Sequence, residues 1–151
     1  MHSERRTTSR IVEAAILLAL PLLLHYLFPL LMIVRRPFSY LGIVLMVLGF
    51  ALSTWAARTF REVGTGYRLH AESSALATSG PFRISRNPMY LAMLIWLAGL
   101  AVVLGSLMAF VFPVLLFFIA NFFMIPLEER KMEQTFGARY VEYKRRVRRW
   151  I

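Results

Sequence analysis

Cysteine is absent from the 151 residues and so is aspartate, leaving eight glutamates as the acidic side chains. Without cysteine there is no disulfide, no thiolate nucleophile and no cysteine-based zinc site. The three histidines, His2, His25 and His70, lie far apart with no paired ligand spacing, so no metal site is expected. Acids are outnumbered by 18 lysines and arginines, which gives a net charge of +10 and implies an acidic partner. Nucleic acid and anionic lipid headgroups both meet that description. Hydrophobic residues make up 58% of the chain and the mean hydropathy is +0.59, more than a water-facing surface can absorb at this length. That excess selects lipid over nucleic acid.

The apolar residues are grouped. A basic start precedes an apolar stretch over residues 11–34, interrupted only by Glu13, Pro21, His25 and Pro29. It is longer than the apolar core of a cleaved leader, and no small-residue cleavage site follows it before Arg35-Arg36. A second uncharged stretch covers residues 39–57 and contains Gly42 and Gly49, which allow close approach of a neighbouring helix. Residues 89–125 are 37 positions without one charge, the length of two helices joined by a tight turn at Gly105-Ser106. The pattern predicts an all-α, polytopic membrane protein forming one domain over residues 1–151. Its helices are expected at about 11–34, 39–57, 89–104 and 107–125, with a polar loop at 58–88 and a tail at 126–151. In the tail, Phe136, Tyr140, Tyr143, Val147 and Trp150 are spaced as one amphipathic helical stripe. Sixteen of the 18 basic residues fall on the start, the loop and the tail, and only Arg35 and Arg36 on the other side. The positive-inside rule therefore places both termini and the loop in the cytoplasm.

Two segments carry chemical variety. The loop ends in Ser79-Gly80-Pro81-Phe82-Arg83-Ile84-Ser85-Arg86-Asn87-Pro88-Met89-Tyr90, where a helix begins. Its first N–H groups suit a carboxylate, and Asn87 before Pro88 has N-cap chemistry. The simpler reading is a helix start whose Arg86 snorkels to headgroups. Glu128-Glu129 follows Pro126. One use for the pair is to accept hydrogen bonds from hydroxyl or ammonium groups or to offset a sulfonium. The other is an ion pair with Arg130, Lys131 or the neighbouring loop.

Taken together, these segments resemble the isoprenylcysteine carboxyl methyltransferase family, with its bacterial members and its relation to phospholipid methyltransferases. The first motif is Ser79-Gly80-Pro81-Phe82 with Arg86-Asn87-Pro88-Met89-Tyr90; the second is Glu128-Glu129 with Phe136-Gly137, Tyr140, Tyr143 and the basic end Val147-Arg148-Arg149-Trp150. The resemblance covers residues 40–151 or so. It implies an S-adenosylmethionine (AdoMet) site between the loop and the tail, lined by Leu76, Phe82, Asn87, Pro88, Met89 and Tyr90, with Glu128 holding the polar groups of the cofactor. Glu129 or Tyr90 would assist an amine acceptor, and no catalytic base is assigned. Gly64-Thr65-Gly66 lacks the third glycine of a dinucleotide fingerprint and no β-α-β pattern surrounds it, so a soluble Rossmann-type methyltransferase is excluded.

Three positions depart from the family. Asn87 replaces the histidine of the eukaryotic enzymes, Ala92 a frequent glycine, and Met124 a substrate-binding arginine. The implied function is therefore AdoMet-dependent methylation of a membrane-embedded or lipophilic acceptor, small or lipidated, by carboxyl O-methylation or lipid amine N-methylation. The resemblance implies an integral membrane protein of the bacterial inner membrane. Two other classes are compatible with the residues: a small four-helix transporter using Glu13, and a non-catalytic lipid-binding adaptor.

Overall fold

The computed structural model describes residues 31–63 and 75–151, with residues 19, 22, 23, 26 and 27, and every regular element among them is helical. Ala19, Leu22, Leu23, Tyr26 and Leu27 are helical, and the rest of residues 11–30 lies outside the described residues. Residues 31–34 are not helical, so the expected first helix is too long at its end. Leu31 has φ 46°, Met32 forms an antiparallel bridge with Ser106, and the N–H groups of Ile33 and Val34 donate to Gly105 O at 2.7 and 3.1 Å. Those donors serve a turn elsewhere in the chain, which removes them from a helical ladder.

A short 3₁₀ turn, Phe38–Tyr40, leads into α1, Leu41–Glu62. This helix runs five residues past the expected boundary, because Arg58 and Arg61 are good helix formers and no Gly or Pro intervenes before Gly64. Residues 64–74 of the expected loop lie outside the described residues. The loop re-emerges as a 3₁₀ turn, Gly80–Arg83, and ends where α2, Pro88–Leu104, begins with proline in its first turn. Gly105 closes α2 with φ 70°, the left-handed conformation that suits glycine, and its N–H donates to Ala101 O at 2.9 Å. After Ser106, α3 runs over Leu107–Ile119.

The tail departs from its expected form. The helix does not stop at Pro126: a π turn, Ala120–Met124, carries α3 directly into α4, Ile125–Phe136. Proline lacks the N–H that an α-helix needs, and a wider turn just before it absorbs the mismatch. The chain breaks instead at Gly137, φ 53° and ψ −128°, before α5, Ala138–Arg146. The aromatic stripe is therefore not one helix. Phe136 closes α4, Tyr140 and Tyr143 lie on α5, Val147 is already extended and Trp150 lies beyond the helix.

Helices α1 and α2 cross at close range. A Cβ added to Gly49 would lie 2.8 Å from Ala92 O, and one added to Gly99 would lie 2.6 Å from Gly42 O. Small residues replace side-chain interdigitation there, as they do between membrane helices. Ala92, fully buried, belongs to this crossing. Away from it the surface is apolar: Val47, Phe50, Val114, Phe118, Phe122 and Phe123 are all exposed, Phe123 by 68%. The segments Phe38–Glu62 and Leu107–Phe136 are long and apolar enough to cross a membrane, whereas apolar Pro88–Leu104 is shorter. At one end, the polar end, the buried ion pairs of Glu129 with Arg86 and Arg149 lie near a buried apolar cluster of Ala56, Ala77, Phe82, Tyr140 and Tyr143.

Candidate active site

At the polar end, residues 79–90, α4, α5 and residues 147–151 converge on Glu129. Its carboxylate is 6% exposed and receives Arg86 Nη2 at 2.8 Å on Oε1 and Arg149 Nη2 at 2.8 Å on Oε2. Arg149 Nε adds a longer bond to Oε1 at 3.3 Å, and Lys144 Nζ stands 3.8 Å from Oε2 while pairing with Glu133 at 2.6 Å. The ion pairs run to the loop and the tail, not to Arg130 or Lys131. Arg86 does not snorkel. Its side chain is 10% exposed, and Nη1 donates to Lys144 O at 2.9 Å and Val147 O at 3.2 Å. A cation so buried needs a fixed anion, which Glu129 supplies.

The loop is held to residues 147–151 through the backbone. Arg86 N–H donates to Arg148 O at 3.0 Å, and Ser85 Oγ and Asn87 Nδ2 donate to Arg149 O at 3.2 and 3.0 Å. Asn87 occupies the N-cap position, but its side chain does not cap α2. It spends its amide on Arg149, and Ser85 Oγ accepts the Asn87 N–H at 3.1 Å. Tyr143 Oη donates to Phe82 O at 2.7 Å and so ties α5 to the first motif. Burial pushes the Tyr143 phenol well above its usual range. Tyr140 is raised from 10.0 to about 12, by burial first and then by the nearby Glu129 carboxylate.

The residues singled out in the sequence divide into three groups. Phe82, Leu76 and Met89 belong to the apolar cluster with Tyr140 and Tyr143, and Phe82 meets Phe60 edge to face at 4.7 Å. Tyr90 Oη donates to Glu128 Oε1 at 2.7 Å, joining the two motifs across 38 positions. Asn87 and Pro88 are buried in the seam with residues 147–151. A separate open cavity of about 470 Å³ is lined by Leu76, Thr78, Tyr143, Val147 and by Arg83, Arg139, Glu142 and Arg146. Of the candidates only Leu76 lines it. Met124 ends the π turn and is 38% exposed.

The sequence alone assigned no individual role to Arg149, Ser85 or Asn121. Arg149 stood only as part of the basic end of the second motif, one of six basic residues from Arg139 to Arg149. Asn121 did carry a signal, being the one carboxamide within residues 89–125. Its Oδ1 accepts Trp150 Nε1 at 3.1 Å.

A family model described as phospholipid methyltransferase matches residues 38–139, which takes in α1 through α4 and both segments joined by the Tyr90–Glu128 bond. The chain belongs to the phospholipid methyltransferase family. Similar proteins include a probable protein-S-isoprenylcysteine O-methyltransferase of Oryza sativa subsp. indica, 35% identical over 117 residues, 72% of this chain and 58% of that protein. Protein-S-isoprenylcysteine O-methyltransferase B of Arabidopsis thaliana is 36% identical over 116 residues, 72% of this chain and 56% of that protein. An uncharacterised protein of Haemophilus influenzae is 36% identical over 63 residues, 42% of this chain and all of that protein. The chain thus spans little more than half the length of the plant relatives. Family membership implies a methyl donor.

Proposed function

We propose that this chain is an AdoMet-dependent methyltransferase of a lipophilic acceptor, its cofactor held between the loop entering α2 and the first turn of α4. The observation that carries the reading is the Tyr90–Glu128 hydrogen bond, which unites the two motif segments at one end of the helices. The donor set fits the cofactor. Glu128 offers a half-buried carboxylate to hydroxyl or ammonium groups, and the half-buried Met89 and Leu76 offer thioether and aliphatic surface to a purine, backed by the buried Phe82 ring. Asn87 and Pro88 set the backbone where α2 starts.

AdoMet supplies, when bound, a methyl group on an already activated sulfonium. The residues then have to hold, orient and keep water out, and these effects can account for much of the acceleration. Tyr90 fixes the Glu128 carboxylate. Glu129 has both oxygens engaged by cations, so it positions rather than removes a proton. A carboxylate acceptor needs no base, and for an amine Tyr90 would be the source of assistance, with no base assigned. With Asn87 in place of histidine, a role needing a titratable imidazole at this position is not inherited.

The membrane reading extends this. Four spans, with both termini and the polar end cytoplasmic in a bacterial inner membrane, put the basic residues against anionic headgroups. The exposed apolar faces of α1 and α3 give an acceptor a lateral route from lipid. The test is titration of the detergent-purified chain with AdoMet and with its demethylated product. Saturable binding that Glu128→Ala abolishes, with helix content unchanged by circular dichroism, is the expected result. Absence of binding at millimolar ligand defeats the proposal.

A further inference from the structure

Arg149 is bonded to three segments at once. Its carbonyl accepts from Ser85 and Asn87, its guanidinium holds Glu129, and its Nη1 donates to Asn121 O at 3.3 Å. The last bond follows from the π turn. Ile125 N–H donates to Ala120 O, five residues back, and the same register would pair Asn121 O with residue 126. That residue is Pro126, which has no N–H to give. The Arg149 guanidinium supplies the missing donor, and Trp150 closes the corner with Nε1 on Asn121 Oδ1 and its ring 5.3 Å from Phe117.

The register of this turn has a consequence for the site. One extra residue in the turn rotates everything after it by about 100°. Glu128 and Glu129 are adjacent, so that rotation selects which of them meets Tyr90 and which meets Arg86. We infer that Arg149 is a positioning residue: by bridging Asn121 in the π turn, Glu129 on α4 and Asn87 before α2, it fixes the rotation of α4 at which Glu128 meets Tyr90. The inference deepens the proposed cofactor site and rests on the role given there to Glu128. Lysine keeps a charge beside Glu129 but cannot reach both carboxylate oxygens and the Asn121 carbonyl together.

The experiment titrates AdoMet against the full chain, Arg149→Ala and Arg149→Lys, each with Tyr90 intact and as Tyr90→Phe. Arg149→Ala should weaken binding at least about tenfold, with Arg149→Lys intermediate, and either change should add less than about twofold once Tyr90→Phe has removed the contact being positioned. Full additivity, or unchanged affinity, overturns the inference, since damage unrelated to Glu128 would not depend on Tyr90. If Arg149→Ala fails to fold, Arg149→Lys carries the same comparison. A parent chain that binds no AdoMet defeats the cofactor reading instead. Positioning is then judged by spin labels at exposed Ile84 and Gln134, placed specifically because the chain has no cysteine. A single narrow distance that broadens in Arg149→Lys supports it, and an unchanged distribution overturns it.

Discussion

The crossing of α1 and α2 and the seam around Glu129 are both tightly packed, but by opposite means. At the crossing, Gly42, Gly49, Gly99 and Ala92 let two backbones touch, and the atoms nearest the glycines are backbone atoms and the carbons of Met46, Trp96 and Val103. At the seam, a buried carboxylate binds two guanidiniums, and three backbone carbonyls of residues 147–149 accept bonds from the loop before α2. The first arrangement suits lipid, where association depends on close contact because lipid tails are as apolar as leucine. The second suits a site, where groups must be held at fixed bearings and each unpaired charge is costly. The contrast explains why the buried ion pairs gather at one end of the helices among the described residues.

The comparison breaks most sharply at Glu129. Glu129→Ala leaves Arg86 and Arg149 buried without their anion, and should destabilise the polar end by about 3–5 kcal/mol, read by denaturant titration in detergent. Replacing the Glu129 partner Arg86 by methionine should cost less than the Glu129 change, because Arg149 and Lys144 still pair with the carboxylate. At the crossing, Gly49→Leu should separate α1 from α2 at a cost of about 1–3 kcal/mol, read as a lower unfolding temperature, while leaving the ion pairs of the seam in place. Tyr143→Phe strands the buried Phe82 carbonyl and should cost about 1–3 kcal/mol. The smallest effect concerns pH. The Tyr140 phenol is raised from 10.0 to about 12 in the folded chain, so its contribution is complete below pH 10 and is lost as pH rises toward 12, when the unfolded chain ionises first. Tyr140→Phe should flatten stability against pH over that window, and a slope unchanged by the substitution would refute the assignment.

Much of this was readable from residue order alone. Gly105-Ser106 marked the turn between α2 and α3, and Pro88 marked the start of α2. The two motifs identified the segments that meet as Tyr90 and Glu128. Boundaries were less legible. Pro126 reads locally as a stop, yet a π turn carries the helix through it to Phe136. The aromatic spacing from Phe136 to Trp150 fits one helix, yet Gly137 breaks it with a backbone conformation that spacing does not encode. Arg86 looked like a surface residue, because nothing near it in sequence announces a partner 43 positions away.

Taken alone, the sequence determined that the chain is helical, that it carries more apolar surface than water tolerates, and that its chemical variety is concentrated in two short segments. Composition, periodicity and spacing are local properties, and they suffice for those conclusions. Only the tertiary structure decided that Glu129 is enclosed by Arg86 and Arg149 while Glu128 turns to Tyr90. Adjacent residues on a helix point about 100° apart, so their different roles depend on the rotation of α4, and that rotation is set by a turn and by side chains from the far end of the chain.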